Sequence, residues 1–342
     1  MTAAVRIAVA QAIAKERITD EELIERLQGL AAVRRDEPLA RHTTFGIGGP
    51  ADVFVTVRSA DELAAVTKAI RAAGAPLFVL GAGSNILVGD SGIRGVTIDN
   101  QAKAVRIEPL RVDAASGLTV PDAVAGAAPD EAVVVWAESG TSFAALARQL
   151  ARAGYEGIEW AAGIPGTLGG AAVYNAGAYG GCLADVLLAA TLIDDAGDVR
   201  YMRAPDLKLA YRSSAILRGE FGACVVLSVE LAVRRGDAAA SLAKIAEFDL
   251  QRLAAQPRGR NSGSTFKNPP DHHAWELIDA VGLRGHRIGN ARISEKHSNF
   301  FENLGGASAA DVHALMGEAQ RRVKERFGID LENEVELVGE GF

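Results

Sequence analysis

Three short segments carry side chains that could act on a bound molecule. The loop "NSGSTFKNPP" sets the hydroxyls of Ser264 and Thr265 beside the ammonium of Lys267 and the carboxamide of Asn268. Such a loop can present a proton, a cation and an amide to a ligand, although most loops of this composition cap helices and turns. "LAYRSSAIL" places Tyr211 and Arg212 between chain breakers and strands, where a lone arginine is ordinarily a surface residue. "ISEKHSNFFEN" and "LENEVELVG" contribute His297 and Glu334, polar residues that would also suit exposed strand ends.

Two glycine-bearing segments could hold a cofactor by its backbone. In "LGAGSNILVGD" a strand runs into Gly81-Ala82-Gly83, which invites a dinucleotide-binding reading. The fingerprint fails because Ile86 stands where the third glycine would fall and the following residues are strand-like. A Gly-Ser-Asn loop can still form an anion-binding nest without a helix, or be an ordinary turn. In "AAGIPGTLGGAAVYNAGAYGG" seven of twenty-one residues are glycine and none is charged. Flexible linkers are polar, whereas this stretch interleaves glycine with Ile, Pro, Leu, Val and Tyr. It reads as buried backbone that turns sharply, lying against a flat cofactor or packing two sheets together.

The elements that would position these segments follow from periodicity and breakers. A strand over 53–57 precedes a helix with Ser59 as N-cap and Gly74 as stop, then a short strand, giving a β-α-β unit. "AVRIEPLRV" and "AVVVWAES" read as strands, "SFAALARQLARAG" as a helix, and "VLLAATLIDDAGDVRYM" as two strands joined by a turn. "CVVLSVELAVR" is a further strand. A composition shift near 236–262 places a domain boundary near residue 235, after which come helices over 274–281 and 308–327 and strands at "ARIS", "NFFEN" and "EVELVG". The domains expected are thus a helical extension over 1–40, a two-part domain over 41–235 and a C-terminal domain over 236–342.

Composition limits the classes of function. A chain of 342 residues exceeds what one core serves. Its net charge of −7 is dispersed, which argues against a nucleic-acid partner. No stretch reaches the uncharged length of a membrane span, and the opening residues read as an amphipathic helix lacking a cleavage site. A cytoplasmic protein with reduced Cys182 and Cys224 is expected. His272 and His273 are adjacent and would point apart on a regular element, so no metal site is expected. A nucleophile elbow is also missing.

In their order along the chain, "HTTFGIGGPA", "LGAGSNILVGD", "AGIPGTLGGAAVYNAGAYG", "YRSS", "SGSTFKNP", "SEKHSNFFEN" and "LENEV" resemble the UDP-N-acetylenolpyruvoylglucosamine reductases, flavoenzymes of peptidoglycan synthesis. The resemblance covers roughly residues 40 to 340. It implies an α+β protein with an FAD-binding fold of the vanillyl-alcohol-oxidase (PCMH) type in two α/β subdomains, plus a C-terminal α/β domain that covers the substrate. FAD would be bound non-covalently. NADPH would reduce it, and hydride would pass from flavin N5 to C3 of UDP-N-acetylglucosamine enolpyruvate, giving UDP-N-acetylmuramate. A monomer is the expectation.

Carried over residue by residue, the resemblance implies that Gly81, Ala82, Gly83, Ser84, Asn85 and Ile86 hold the FAD pyrophosphate. Thr43, Ile47 and Gly48, with Gly163, Ile164, Pro165, Gly166, Gly169, Gly170, Asn175 and Ala178, would line the remainder. Arg212 would hold the substrate carboxylate, since its fork of donors matches two oxygens. Glu334 would hydrogen-bond the same group as the acid, and Ser264 would donate the proton to C2. Tyr211, Lys267, Asn268 and His297 would contact substrate, with Lys267 toward the diphosphate. Some relatives carry an inserted tyrosine-bearing loop. Residues 230–257 contain no tyrosine, which implies a subtype lacking it. The alternatives are another FAD oxidoreductase of this fold and a catalytically inactive nucleotide-sugar-binding protein.

Overall fold

The computed structural model describes residues 20–110 and 131–342. Asp20 opens the first helix, α1 (Glu21–Gln28), by accepting the Leu23 amide at 3.1 Å, with Glu21 and Glu22 in the first turn and Arg26 in the last. Both choices suit the helix dipole. Leu23, Ile24 and Leu27 fall on one face of α1 and are buried. β1 (Ala32–Pro38) pairs antiparallel with β2 (Pro50–Val57). α2 (Ala60–Ala72), capped by Ser59 as its sequence demands, returns the chain to β3 (Leu77–Leu80). β4 (Ile86–Val88) stands apart, and β5 (Ile93–Asn100) inserts parallel between β2 and β3 in a sheet of order β1-β2-β5-β3. Residues 20–38 are therefore a helix and an edge strand of this first layer, where the sequence suggests a separate helical extension. Residues 1–19 lie outside the described residues.

The second layer is antiparallel. β6 (Val105–Pro109), β7 (Ala132–Glu138), β11 (Leu187–Ile193), β12 (Val199–Arg203) and β13 (Val225–Arg235) run in the order β12-β11-β13-β7-β6, with β8 (Tyr155–Glu156) on the end of β13. Residues 111 and 112, read as strand in the sequence, fall outside the described residues. α3 (Phe143–Arg152) buries Phe143, Leu146, Ala147, Leu150 and Ala151 against the sheet. The glycine stretch contains an element that its composition hides, the helix α4 (Leu168–Tyr174), followed by the short pair β9 (Gly177–Ala178) and β10 (Gly181–Cys182). Glycine weakens helices, and α4 forms because it is clamped. Leu168 and Gly169 donate their amides to Thr141 and Ser139 carbonyls at 2.9 and 2.8 Å.

α5 (Ala238–Ala255) follows the expected boundary at 235 but packs on the second layer. Ile245 is buried in that core, Phe248 rests on it, and Ser241 donates to Glu159 at 2.8 Å. In the C-terminal part, α6 (Ala274–Ala280), the meander β14 (Arg287–Ile288), β15 (Ala291–Ile293) and β16 (Phe301–Asn303), and α7 (Ala309–Phe327) enclose a core of Phe266, Ile278, Phe301, Leu315 and Met316. Phe45, Ile47 and Leu87 from the first layer are part of the same core. The last strand, β17 (Glu336–Val338), then leaves this domain and pairs in parallel with β4.

Polar clamps reinforce this join. The Asn303 carboxamide donates to the Phe45 carbonyl at 2.9 Å. Asp90 of the first layer accepts the Ala309 and Ala310 amides at 2.8 and 3.2 Å, capping α7 from outside its own segment. Asp90→Ala is expected to lower stability by about 1 kcal/mol, as loss of an N-cap does. Denaturant titration would measure it, and an unchanged midpoint would show that the internal Ser308 capping box suffices.

Candidate active site

The segments 42–48, 81–86 and 163–170 meet at one place between the layers. Thr43 closes its own loop by accepting the Ile47 amide at 3.3 Å and donating to the Ile47 carbonyl at 2.9 Å. Thr44 donates its amide to the Gly83 carbonyl at 3.0 Å. Gly83 has φ +59, and a Cβ there would overlap the His42 carbonyl, so only glycine lets the two loops approach. A Cβ on Gly81 would lie 2.6 Å from the Thr167 hydroxyl, and one on Gly166 would lie 3.1 Å from the Ser84 hydroxyl. Several glycines of the cradle thus serve contact between protein segments. Gly170 faces open space, its nearest neighbour being the Thr167 hydroxyl at 3.9 Å from an added Cβ.

Among the described residues the amides of Ala82, Gly83 and Ser84 donate to no protein acceptor. Consecutive free N–H groups around a left-handed residue form a concave anion nest. The buried Thr141 hydroxyl, whose backbone holds the start of α4, likewise has no partner. The three consecutive amides of the nest fit a bound pyrophosphate. Ile86 contributes as strand β4, and Ala178 as part of β9. Asn85 and Asn175 do something else with their side chains. Asn85 Nδ2 donates to the Glu334 carbonyl at 3.0 Å. Asn175, left-handed at φ 45 and closing α4, donates to the Ala210 carbonyl and accepts the Ala184 amide, both at 3.0 Å.

Those two carboxamides bring the expected catalytic residues together. Arg212 sits in a tight turn closed by reciprocal Ala210–Ser213 backbone bonds of 2.9 and 3.0 Å. Asn175 holds that turn, and so does Ser214, whose hydroxyl donates to the Val173 carbonyl at 2.6 Å. Arg212 is itself left-handed, at φ 49. A non-glycine residue held there stores strain, a feature that gathers at functional sites. Its Nε donates to Glu334 Oε1 at 2.5 Å and its Nη2 to the Gly177 carbonyl at 3.2 Å. Glu334 is held in turn by its own amide, which donates to the Thr265 carbonyl at 2.8 Å, one residue from Ser264. Among the described residues the half-buried Ser264 hydroxyl makes no hydrogen bond, so its proton is available to a ligand.

The outer residues are placed less uniformly. Lys267 Nζ lies 3.4 Å from Glu332 at the surface. Asn268 accepts the Ala274 amide at 3.0 Å and thereby caps α6, the plain role that its loop allowed. His297 lies against Phe300 and Trp275, with ring centroids 4.8 and 6.1 Å away, and burial pushes its imidazole toward the neutral form. Tyr211 is 61% exposed beneath the Arg212 guanidinium.

Two further polar residues stand where the glycine stretch meets the tail. Tyr174, which ends α4, and Glu336, which opens β17, are both pushed above their ordinary ranges, by burial first. The signal for Glu336 was the alternation in "LENEVEL". Leu331 and Val335 are buried in the C-terminal core while Glu332, Glu334 and Glu336 occupy the other face.

Residues 255–338 match the family model described as "UDP-N-acetylenolpyruvoylglucosamine reductase, C-terminal domain", and residues 51–203 match that described as "FAD binding domain". A UDP-N-acetylenolpyruvoylglucosamine reductase of Lachnoclostridium phytofermentans is 38% identical over 322 residues, covering 93% of this chain and 97% of its own. One from an Anaeromyxobacter species (strain Fw109-5) is 43% identical over 323 residues, covering 93% and 92%. The crystal structure of the reductase from Thermus caldophilus superposes with a TM-score of 0.70 at 36% identity, covering 90% of this chain and 99% of that one. The fold is that of the reductase structure, an FAD-binding domain followed by a C-terminal α/β part.

Gly83→Ala forces the 42–48 and 81–86 loops apart, and overpacking with positive-φ strain is expected to weaken FAD binding roughly 10- to 100-fold. Fluorescence titration of apoprotein with FAD would read the loss. Unchanged affinity would remove this loop contact from the cofactor site.

Proposed function

The chain belongs to the UDP-N-acetylenolpyruvoylglucosamine reductase family, and from that premise we propose that it reduces UDP-N-acetylglucosamine enolpyruvate to UDP-N-acetylmuramate with NADPH, as a cytoplasmic monomer. The observation that supports this reading most is the convergence of Arg212, Glu334 and the Ser264 segment beside the anion nest. The chemistry supplied by FAD, once bound, is hydride transfer from NADPH and onward to C3 of the enolpyruvyl group.

The remaining requirements fall to side chains. Addition of hydride at C3 drives the double-bond electron pair toward C2 and into the carboxylate, so the site must stabilise an enolate and then deliver a proton. The Arg212 fork exchanges its Glu334 partner for the substrate carboxylate, and Glu334, as the acid, donates a hydrogen bond to the same group. A guanidinium already ordered by the Gly177 carbonyl and the Tyr211 ring reorganises little on this exchange. Ser264 donates its proton to C2. A serine hydroxyl is a weak acid in water, but a carbanion-like carbon is a strong base, and a positioned hydroxyl suffices. Lys267 reaches for the diphosphate. Tyr211, Asn268 and His297 complete the substrate contacts. Helix α5 occupies the stretch where some relatives insert a tyrosine loop, which supports the loop-lacking subtype.

Purified protein reconstituted with FAD is expected to be yellow and to bleach when NADPH is added anaerobically. In Ser264→Ala the bleaching persists, while reoxidation by the enolpyruvyl sugar slows by roughly two to four orders of magnitude, as for loss of a general acid. Equal slowing of both half-reactions would assign Ser264 a different role. A protein that cannot be loaded with FAD would remove the reductase reading altogether.

A further inference from the structure

The segment that carries Ser264 is held by a buried side chain that stands in for a length of backbone. Residues 264–267 lie between the tail and residues 299–300, with Ser264 bridged to Phe300 and Phe266 to Asn333. On the tail side the bonds are main-chain ones. The Thr265 carbonyl accepts the Glu334 amide at 2.8 Å, and the Lys267 amide donates to the Glu332 carbonyl at 2.9 Å. On the other side no extended strand runs alongside Phe266, because the Phe300 amide donates to the His297 carbonyl at 2.9 Å and closes a turn. Asn299 supplies what is missing. Its carbonyl accepts the Thr265 amide at 2.7 Å, its Oδ1 accepts the Phe266 amide at 2.9 Å, and its Nδ2 donates to the Phe266 carbonyl at 2.8 Å. A carboxamide offers the donor and the acceptor of a peptide group, and here it replaces one.

We propose that Asn299 is a positioning residue for the Ser264 hydroxyl, its carboxamide fixing the backbone from which that hydroxyl is presented to the substrate carbon. The inference rests on the reading that Ser264 donates the proton to C2.

Burial makes the carboxamide matter. Asn299 is 3% exposed and Phe266 fully buried, so without the carboxamide the Phe266 amide and carbonyl would have neither a protein partner on that side nor water. The hydroxyls of the segment do not share the task. Among the described residues Ser264 makes no hydrogen bond, and the Thr265 hydroxyl is buried without a partner. Backbone bonds therefore decide where the Ser264 hydroxyl lies, and Asn299 receives or makes three of them. The tail has a separate anchor in the Arg212–Glu334 ion pair, so loss of the carboxamide releases Ser264 before Glu334.

The test follows the two half-reactions of the FAD-loaded protein separately, by anaerobic stopped flow. In Asn299→Ala, flavin reduction by NADPH is expected to keep its wild-type rate. Reoxidation at saturating UDP-N-acetylglucosamine enolpyruvate should slow roughly 10- to 100-fold, the cost of a displaced reacting group. Because the effect runs through Ser264, adding Asn299→Ala to Ser264→Ala should slow reoxidation by less than about threefold more. A side chain that served the fold alone would act equally in both backgrounds. Asn299→Asp gives a second reading should the alanine variant not fold. Ionised, its carboxylate accepts the Phe266 amide but cannot donate to the Phe266 carbonyl, whereas the protonated acid does both. Its reoxidation rate, divided by that of wild type at the same pH, should therefore recover as pH falls. The division removes the titration of His297, whose Nδ1 accepts the Asn299 amide at 3.3 Å. Wild-type reoxidation in Asn299→Ala, equal slowing in both backgrounds, or a pH-independent ratio in Asn299→Asp overturns the inference and leaves the reductase reading standing. A wild-type flavin that NADPH bleaches and the sugar does not reoxidise removes both.

Discussion

The parallel pairing of β17 with β4 is the constraint on which the site depends. It joins segments far apart in sequence, with Asn85 and Glu334 bonded across 249 positions. The register matters as much as the pairing. Odd-numbered tail residues such as Leu331 and Val335 fill the C-terminal core, so the even-numbered carboxylates must face the second layer. A slip of one residue would bury Glu334 and Glu336 among Phe266, Leu315 and Met316 and turn Val335 toward Arg212. Burying unpaired carboxylates is costly enough to exclude that alternative. The hydrophobic pattern of the tail therefore aims the acid at the guanidinium.

The other half of the site is aimed by local backbone conformation. Arg212 and Asn175 are both left-handed, at φ 49 and 45, each at a cost that must be met by surrounding contacts. Asn175 meets part of it through a carboxamide that bonds Ala210 on one side and Ala184 on the other. That single side chain ties the end of α4 to the arginine turn. The glycine stretch is therefore at once a lining for the anion nest and the support for Arg212. Its glycines divide accordingly between close packing of protein segments and exposure of backbone.

Legibility varied with how local the determining forces are. Ser59 caps its helix where the sequence places it, because a cap is decided within four residues, and the helix read from 308 begins at Ala309 with Ser308 as its cap. Strands β7, β11 and β13 are evident from largely apolar runs. Helix α4 is not, because its glycines oppose helix formation and its stability comes from Ser139 and Thr141 of another segment. The side to which α5 belongs is also hidden. Its few buried residues, Ser241 and Ile245, say that it packs without saying on what. The edge strand β1, with Arg34, Arg35, Asp36 and Glu37 in succession, is too polar to announce itself.

By itself the sequence determined which chemical groups were on offer: a guanidinium, a serine hydroxyl, alternating carboxylates and two glycine-bearing loops. Their order along the chain also identified the family. Tertiary structure alone decided which groups meet. Arg212 could have paired with any nearby acid, and it meets Glu334 because β17 crosses to β4. Asn85 and Asn175 became braces through contacts between residues distant in the chain. Capping and periodicity act over a few residues and can be read from them. Pairing between distant segments depends on the whole packed core, which no short stretch contains.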